Sequence, residues 1–507
     1  MTLSEAGKQA LGVLTSLPRG DWAKTRDVIE KSSPRNAASL HIVDSALFVL
    51  VLDEYVPCDI HETASNMLHG TYKLKRDEEG VDYQIGTCSN RWYDKLQIIV
   101  CADGTSGINF EHSSIDGHTA LRFVSDVFAE TIVIFAQSIT KSIHGQGSIP
   151  HVVDAELKRA ASIMDEARRP VLDVFPKKCS FELSLDVLDT IYYAETALGD
   201  QIVSMDTVVL EFKDFGKKLI VANDLSPDSF VQMSMLLAYY RLYGEIVCAY
   251  EPVLTKQFYH GRTEAMRTAT PAAAEFCRVW MNHDSTKSEK LNSLRMATKE
   301  HSRLVKESAN GKGVDRHLFA LKCIAERNNV PTPKFFESRP WQTLNHTILS
   351  TSNCGNSSLR LFGFGPVVQD GFGIGYIIRD HGLQYSVSSK HRQTKRYVNT
   401  LHNTLSDLND LLKPISVVEV RGRHRPTLSR LGAVSEHVAE NAYADYYGES
   451  TEYSPPKQEA AKRPTLEKQE SFSKYFASVV RRDSIPGEVL SKVGEKVNLS
   501  KKRGESV

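Results

Sequence analysis

"SNRWYDKLQIIVCADGTSGINFEHSSIDGHTALRF", residues 89–123, decides how this chain is read. Two apolar runs, "KLQIIVCADG" and "SGINFE", flank Asp103-Gly104, a dipeptide that favours a tight hairpin turn. From Asp116 onward the apolar positions Leu121, Val124, Val127, Phe128 and Ile132 recur at helical spacing. The stretch therefore predicts strand, strand, turn and helix, with His112 on the last connection, where function tends to collect. A neutral imidazole is suited to taking a proton from a hydroxyl near pH 7. Asp116 is placed to orient that ring or brace the turn, and Gly117 lets backbone pass close by. The motif alone is equally compatible with an ordinary histidine followed by an aspartate N-cap.

Working outward, residues 1–178 read as a mixed α/β region and residues 179–423 restart the alternation. "MDTVVLEF" (205–212) predicts a strand. "LSPDSFVQMSMLLAYYRLYG" (225–244) predicts a helix with Ser226 as N-cap, Pro227 in the first turn and Gly244 past its end. Strand-like runs follow at "TILSTSN" (347–353), "LRLFGFGPVV" (359–368), "FGIGYII" (372–378) and "LQYSVSS" (383–389), then a helix from Arg396 to Leu412. Residues 140–175 read as a loop and short helix leading to a connector near "FPKKCSFEL". No repeat is visible at solenoid periods. Residues 424–507 form a polar, patternless tail that reads as disordered. From Lys457 on it has twelve Lys and Arg against seven Asp and Glu. Phe472, Tyr475, Phe476, Val479 and Val480 would share one face of a short helix there.

The 507 residues are 41% hydrophobic and 24% charged with a formal net charge of +0, which gives no global case for nucleic acid or an acidic membrane surface. Eight cysteines without a C-x-x-C pair argue against zinc or a disulfide framework and fit a reducing compartment. "SALFVLVLDEYV" (45–56) is broken by acids and too short to span a bilayer, and is expected in the core. The start lacks the design of a signal or transit sequence and the last residues, "GESV", are not a peroxisomal tripeptide, so the expectation is a cytoplasmic protein.

The whole of 89–123 closely resembles the active-site segment of the carnitine/choline acyltransferase family. "LSPDSFVQMSMLLAYYRLYGEIVCAYEP", "YHGRTEAMRTAT", "GKGVDRHLFALK", "LSTSN" and "FGFGPVVQDGFGIGYII" resemble further family blocks in family order, over about residues 10–415. Among subfamilies, "STSNCGNSSLRLFGFGPVV" is most similar to fungal carnitine acetyltransferases. The resemblance implies an α/β, two-domain CoA-dependent acyltransferase fold. It places carnitine and acetyl-CoA at opposite mouths of a tunnel with His112 at its middle, as substrates of a monomer needing no metal or other cofactor. It further implies that His112 is the general base, with Asp116 as the acidic residue nearby. Ser352 would be the hydroxyl donor to the tetrahedral intermediate, a role acyl transfer requires. Alternation along the strand puts Ser350 on the face of Ser352 and Thr351 on the other.

For carnitine, the resemblance implies Tyr250, Thr263 and Arg316 at the carboxylate, Ser350 beside the molecule and Phe364 against the trimethylammonium. For CoA it implies Lys217, Asp228 and Asn353, with Lys218 next to the first. Bulky Phe362 would fill the acyl groove and restrict the substrate to acetyl or propionyl. Read alone, each has a bland alternative: a solvated charge, a core aromatic, or a hydroxyl satisfied by backbone. The sequence also departs from the family. Val221 replaces a second lysine, Pro252 a serine, and Ser302 an arginine. Relatives carry a long stretch before the segment that begins here, so the first domain is expected to be incomplete and to expose apolar surface. The competing function is a non-catalytic truncated paralogue serving as a binding or scaffold protein.

Overall fold

The structure is a computed structural model describing residues 10–76, 80, 82–113, 115–144, 176–390 and 393–413. Eleven strands lie among the described residues, in chain order: β1 (Val49–Asp53), β2 (Lys73–Arg76), β3 (Asp82–Ile85), β4 (Gln97–Cys101), β5 (Ser106–Asn109), β6 (Met205–Phe212), β7 (Ala249–Leu254), β8 (Thr263–Arg267), β9 (Leu349–Asn353), β10 (Phe372–Ile378) and β11 (Leu383–Lys390). They form a three-stranded sheet β1-β4-β5, a six-stranded sheet β6-β11-β10-β9-β7-β8, and the hairpin β2-β3. Helices are interspersed throughout, giving the expected α/β class.

The hairpin read from Asp103-Gly104 is present. β4 and β5 pair antiparallel, Gly104 takes φ +85°, and the Asp103 carboxylate accepts from Thr105 N. Left-handed backbone is what glycine tolerates without a Cβ penalty. β1 pairs parallel with β4 and is the sheet's edge among the described residues. Its core assignment needs correction. Val51 is buried, but Leu50 and Leu52 point outward and are exposed, as are Leu47 and Val56 before and after the strand. Strand alternation buries only one face, and among the described residues nothing covers the other.

The helix after the histidine turn runs from Gly117 to His144, beyond residue 140 where a loop was expected. Its apolar residues Val127, Phe128, Ile132 and Phe135 are exposed. Residues 145 to 175 of the predicted loop and short helix, and the tail from 424 with its aromatic segment at 472–480, lie outside the described residues.

The large sheet carries the main core. Helix Pro227–Tyr243 lies on it, capped as expected: Ser226 Oγ accepts from Ser229 N, Pro227 opens the helix and Gly244 closes it in the left-handed region. Residues Ser229 through Tyr239 are all buried, so this helix is core on every side. β9, β10 and β7 run parallel beside one another, while β10–β11, β11–β6 and β7–β8 are antiparallel. Helix Thr394–Leu412 closes the sheet's helical layer, with Tyr397 stacked on Phe372 at 4.8 Å. His61, on helix Ile60–Leu68, accepts from Val209 N at 3.0 Å and so ties the first half of the chain to β6.

Segment 359–368 is not a strand. Positions Gly373 and Gly375 on β10 explain why. A Cβ on Gly373 would stand 2.4 Å from the Phe364 carbonyl oxygen, and one on Gly375 would stand 2.1 Å from that of Phe362. The segment lies flat across β10 because those two residues lack side chains, and its own Gly363, Gly365 and Pro366 suit an irregular path. No helix among the described residues is long and apolar enough to cross a membrane.

Candidate active site

The histidine turn begins where β5 ends. Asn109 Nδ2 donates to the Met67 and Leu68 carbonyls at 2.9 and 2.8 Å, fixing the strand's end to helix Ile60–Leu68. Glu111 pairs with Arg19 at 2.8 Å and accepts from Ser113 N. His112 Nδ1 stands 2.7 Å from the Ile115 carbonyl. A carbonyl only accepts, so Nδ1 carries the proton and a neutral ring presents Nε2 as its basic atom. The side chain is 68% exposed, so the described residues do not enclose it as the middle of a tunnel would.

Asp116 braces the turn more than it orients the ring. Its Oδ1 is 3.9 Å from His112 Nδ1, but it takes Arg262 Nε at 3.1 Å and Nη2 at 2.8 Å. Arg262 also donates to the backbone carbonyls of Ser113 (2.7 Å) and His112 (3.0 Å), and Lys256 Nζ is 3.8 Å from Asp116 Oδ2. Burial alone would push the Asp116 carboxyl up, but the Arg262 guanidinium and then Lys256 outweigh it and hold the group below its ordinary range. Arg262 precedes Thr263 in "GRT", and its partner is 146 residues away. It was the chief functional residue missed by the sequence reading, and only that basic position inside a family-like block could have signalled it.

Two further contacts join the turn's helix to the stretch after β9. Gly117 packs so closely on Cys354 that a Cβ would lie 3.1 Å from its sulfur. Asn356 Nδ2 donates to Ser125 Oγ at 2.7 Å.

β9 alternates as expected. Thr351 faces helix Pro227–Tyr243, accepting from Gln232 Nε2 at 2.9 Å and donating to the Tyr250 carbonyl at 2.8 Å. Ser350 and Ser352 take the opposite face. In register, Ser350 lies between Tyr250 of β7 and Gly373 of β10, and Ser352 beside Gly375. The segment bearing Phe362 and Phe364 crosses β10 at those two glycines, with ring centroids 5.9 Å apart. The structure thus brings both serines and both phenylalanines to one neighbourhood.

The carboxylate-binding candidates converge beside them. Arg316, exposed at the start of helix Asp315–Arg327, donates from its backbone N to Glu264 and from Nε to the Thr263 carbonyl at 3.4 Å. Arg267 binds Asp315 Oδ2 through Nε and Nη2 at 3.1 and 2.7 Å and lies 5.8 Å from the Tyr250 ring centroid. Burial raises the Tyr250 hydroxyl while Arg316 and Arg267 oppose it, which keeps it a neutral donor.

Of the CoA candidates, Asn353 and Asp228 meet, Asn353 Nδ2 donating at 3.2 Å. Lys217 opens helix Lys217–Ala222 with its backbone N bonded to Arg379 O in the β10–β11 turn. Lys218 pairs with Asp380 at 3.4 Å. Val221 is exposed, Ser302 Oγ lies 2.9 Å from Ser229 Oγ, and Arg303 is engaged by Glu300 and Glu307.

Among the described residues, the ligating atoms of Asp228, Glu251 and His301 lie within 4.8 Å of one another, the geometry a metal ion would need. Existing hydrogen bonds already take up both His301 nitrogens and Asp228 Oδ1. The donor set reads as a hydrogen-bonded cluster.

Comparison with known proteins identifies the family. The family model described as choline/carnitine O-acyltransferase matches residues 2–403. A Saccharomyces cerevisiae protein named "Putative mitochondrial carnitine O-acetyltransferase" is 37% identical over 420 residues, covering 80% of this chain and 60% of its own length. Human mitochondrial carnitine O-palmitoyltransferase 2 is 33% identical, covering 82% of this chain and 57% of its own. The chain therefore spans well under two thirds of these relatives. The epimerization domain of tyrocidine synthetase B aligns at 12% identity with a TM-score of 0.30, too distant to bear on the fold.

Proposed function

This chain belongs to the choline/carnitine O-acyltransferase family, and we propose that it carries the site at which a short acyl group, acetyl above all, moves between CoA and carnitine. The observation that carries the proposal is the His112 turn: Nδ1 is held by the Ile115 carbonyl, which leaves Nε2 as base, and Arg262 fixes the turn through Asp116. In the proposed reaction Nε2 takes the proton from the carnitine hydroxyl, whose oxygen attacks the thioester carbonyl. Ser352 Oγ–H donates to the resulting oxyanion. Collapse breaks the C–S bond, and the imidazolium returns its proton to the departing CoA thiolate. Because both substrates meet in one cavity, no covalent acyl-enzyme is required.

Arg316, Tyr250 and Thr263 would receive the carnitine carboxylate, Ser350 would lie alongside, and Phe364 would face the trimethylammonium. Lys217, Asp228 and Asn353 would serve CoA. Phe362 supports acetyl over long acyl groups, since its ring occupies the segment crossing β10. We keep a monomeric state and a cytoplasmic setting within the proposal, although the relatives above are named mitochondrial. A tagged chain imaged against a matrix marker tests the compartment.

A second reading has its own support. His112 is largely exposed, which favours a binding protein without turnover. Thiol release from acetyl-CoA with purified chain and carnitine separates the two: carnitine-dependent release supports transfer, and binding of either substrate without release supports the alternative. In the same assay Phe362→Gly should extend use to octanoyl-CoA. A folded variant that uses acetyl-CoA but still refuses octanoyl-CoA would disprove the acyl-groove role.

A further inference from the structure

On the far side of the hydroxyl-bearing strand, three titratable groups from different elements meet. Asp228 comes from helix Pro227–Tyr243, Glu251 from β7 and His301 from helix Lys287–Ala309. Glu251 is 0% exposed and His301 1%. Asp228 is partly exposed as a residue. His301 Nε2 stands 2.8 Å from Glu251 Oε2, and its Nδ1 is 2.9 Å from Ser229 Oγ, which is 2.9 Å from Ser302 Oγ. Asp228 Oδ1 accepts from the Tyr376 hydroxyl at 2.7 Å and from Asn353 Nδ2.

Two features mark the cluster. No lysine or arginine is among the hydrogen-bond partners just named. Glu251 Oε1 is buried without a donor, and the carboxyl beside it is Asp228. Two ionised carboxylates there would be buried like charges, a costly arrangement, whereas one proton between them supplies the donor that Oε1 lacks.

We propose that Asp228 and Glu251 share one proton, with neutral His301 as the fixed partner of Glu251, and that this proton positions Asn353 at the end of β9. The proposal rests on the reading that β9 serves acyl transfer. With the proton present, Asp228 donates to Glu251 and keeps Oδ1 for Tyr376 and Asn353. When it leaves, the two anions repel and Asn353 loses a fixed acceptor. The three act as positioning residues for the strand bearing Ser350 and Ser352.

The electrostatics agree in direction. Burial, with Glu251 adding to it, pushes the Asp228 carboxyl up to about 8; burial also pushes Glu251 up, while the hydrogen bond from Asp228 opposes that rise. Burial holds His301 down, to about 4. A carboxyl raised by folding stabilises the fold at low pH, and that contribution is lost as pH rises through about 7 to 8. A histidine lowered by folding works oppositely: it destabilises the fold as pH falls below the ordinary histidine range toward about 4. Of the facing groups named, Ser229, Ser302 and Asn353 carry no titratable charge.

The test compares the unfolding midpoint and the acetyl-CoA KM at about pH 6 and about pH 9, on either side of the raised carboxyl values, for the full chain, Asp228→Asn and Glu251→Gln. The expected result is a fall in midpoint and a several-fold rise in KM, with kcat less changed, for the unaltered chain, and flattened profiles in both variants. Folded variants that keep the unaltered slope overturn the proposal. If neither variant folds, infrared spectroscopy of the unaltered chain decides: a buried carboxylic-acid band lost across that range supports the shared proton, and its absence at the acid end refutes it. Midpoint and spectrum need no substrate. A chain that loses the band but transfers nothing would sink the proposed function alone.

Discussion

The two main sheets are built from similar strand material and end differently. In the six-stranded sheet, β10 and β11 are buried along almost their whole length and helix Pro227–Tyr243 is enclosed on all sides. In the three-stranded sheet, β1 turns Leu50 and Leu52 outward at an open edge, and helix Gly117–His144 carries exposed Phe128, Ile132 and Phe135. The candidate site straddles this contrast. Its candidate hydroxyl and carnitine-binding groups stand on the enclosed sheet, while the proposed base stands on the open one. What holds the proposed base is borrowed: Arg262, from the hairpin of the enclosed sheet, grips the turn through Asp116 and three backbone carbonyls. Precision at His112 therefore comes from the neighbouring layer and not from the layer that bears it.

The largest expected effect tests whether the open region does chemistry at all. His112→Ala should reduce turnover by about 10²–10⁴, the scale of a lost general base. The unfolding midpoint should stay unchanged, because the ring is exposed and bonds only a local carbonyl. Steady-state rates with most activity retained would remove His112 from the mechanism.

Next in size is the clamp. Arg262→Ala leaves buried Asp116 with Lys256 at 3.8 Å and the His112 ring at 3.9 Å. Stability should fall by about 1–3 kcal/mol, the cost of stranding a buried charged acceptor, and kcat should drop while the KM for carnitine holds. Arg262→Lys should restore part of kcat. Equal loss in kcat and carnitine KM would show that Arg262 touches substrate instead of bracing the turn.

The smallest effect probes the open face directly. Leu52→Ser should change stability by no more than about 0.5 kcal/mol, as surface substitutions do, because Leu52 is 66% exposed. A larger loss by chemical denaturation would mean that this face is covered in solution.

How much was legible in the sequence follows from how local each signal is. The Asp103-Gly104 hairpin, the capped helix at 227–243 and strands β6, β9, β10 and β11 were read from turn residues, caps and alternation within a few positions. The face assignment of Ser350, Thr351 and Ser352 came from strand period alone and agrees with the Thr351–Gln232 bond. Segment 359–368 misled because its apolar letters mimic a strand. Its path depends on missing Cβ atoms at Gly373 and Gly375, a tertiary condition no local window carries. Arg262 and the Glu251–His301 pair were invisible for the same reason, since their partners lie 146 and 50 residues away. β1 reads as core by composition. Only a neighbour on its second face could make it so.

The glycine seam on β10 has a consequence for how this protein could change. Any side chain at Gly373 or Gly375 would strike a backbone carbonyl, and a carbonyl cannot swing aside as the tip of a flexible side chain can. Substitutions there would lift the aromatic segment as a whole and move Phe362 and Phe364 together. The two rings themselves are free to vary one at a time. A lineage or a library reshaping this segment would then find its gradual steps at residues 362 and 364. The strand beneath would offer only all-or-nothing ones.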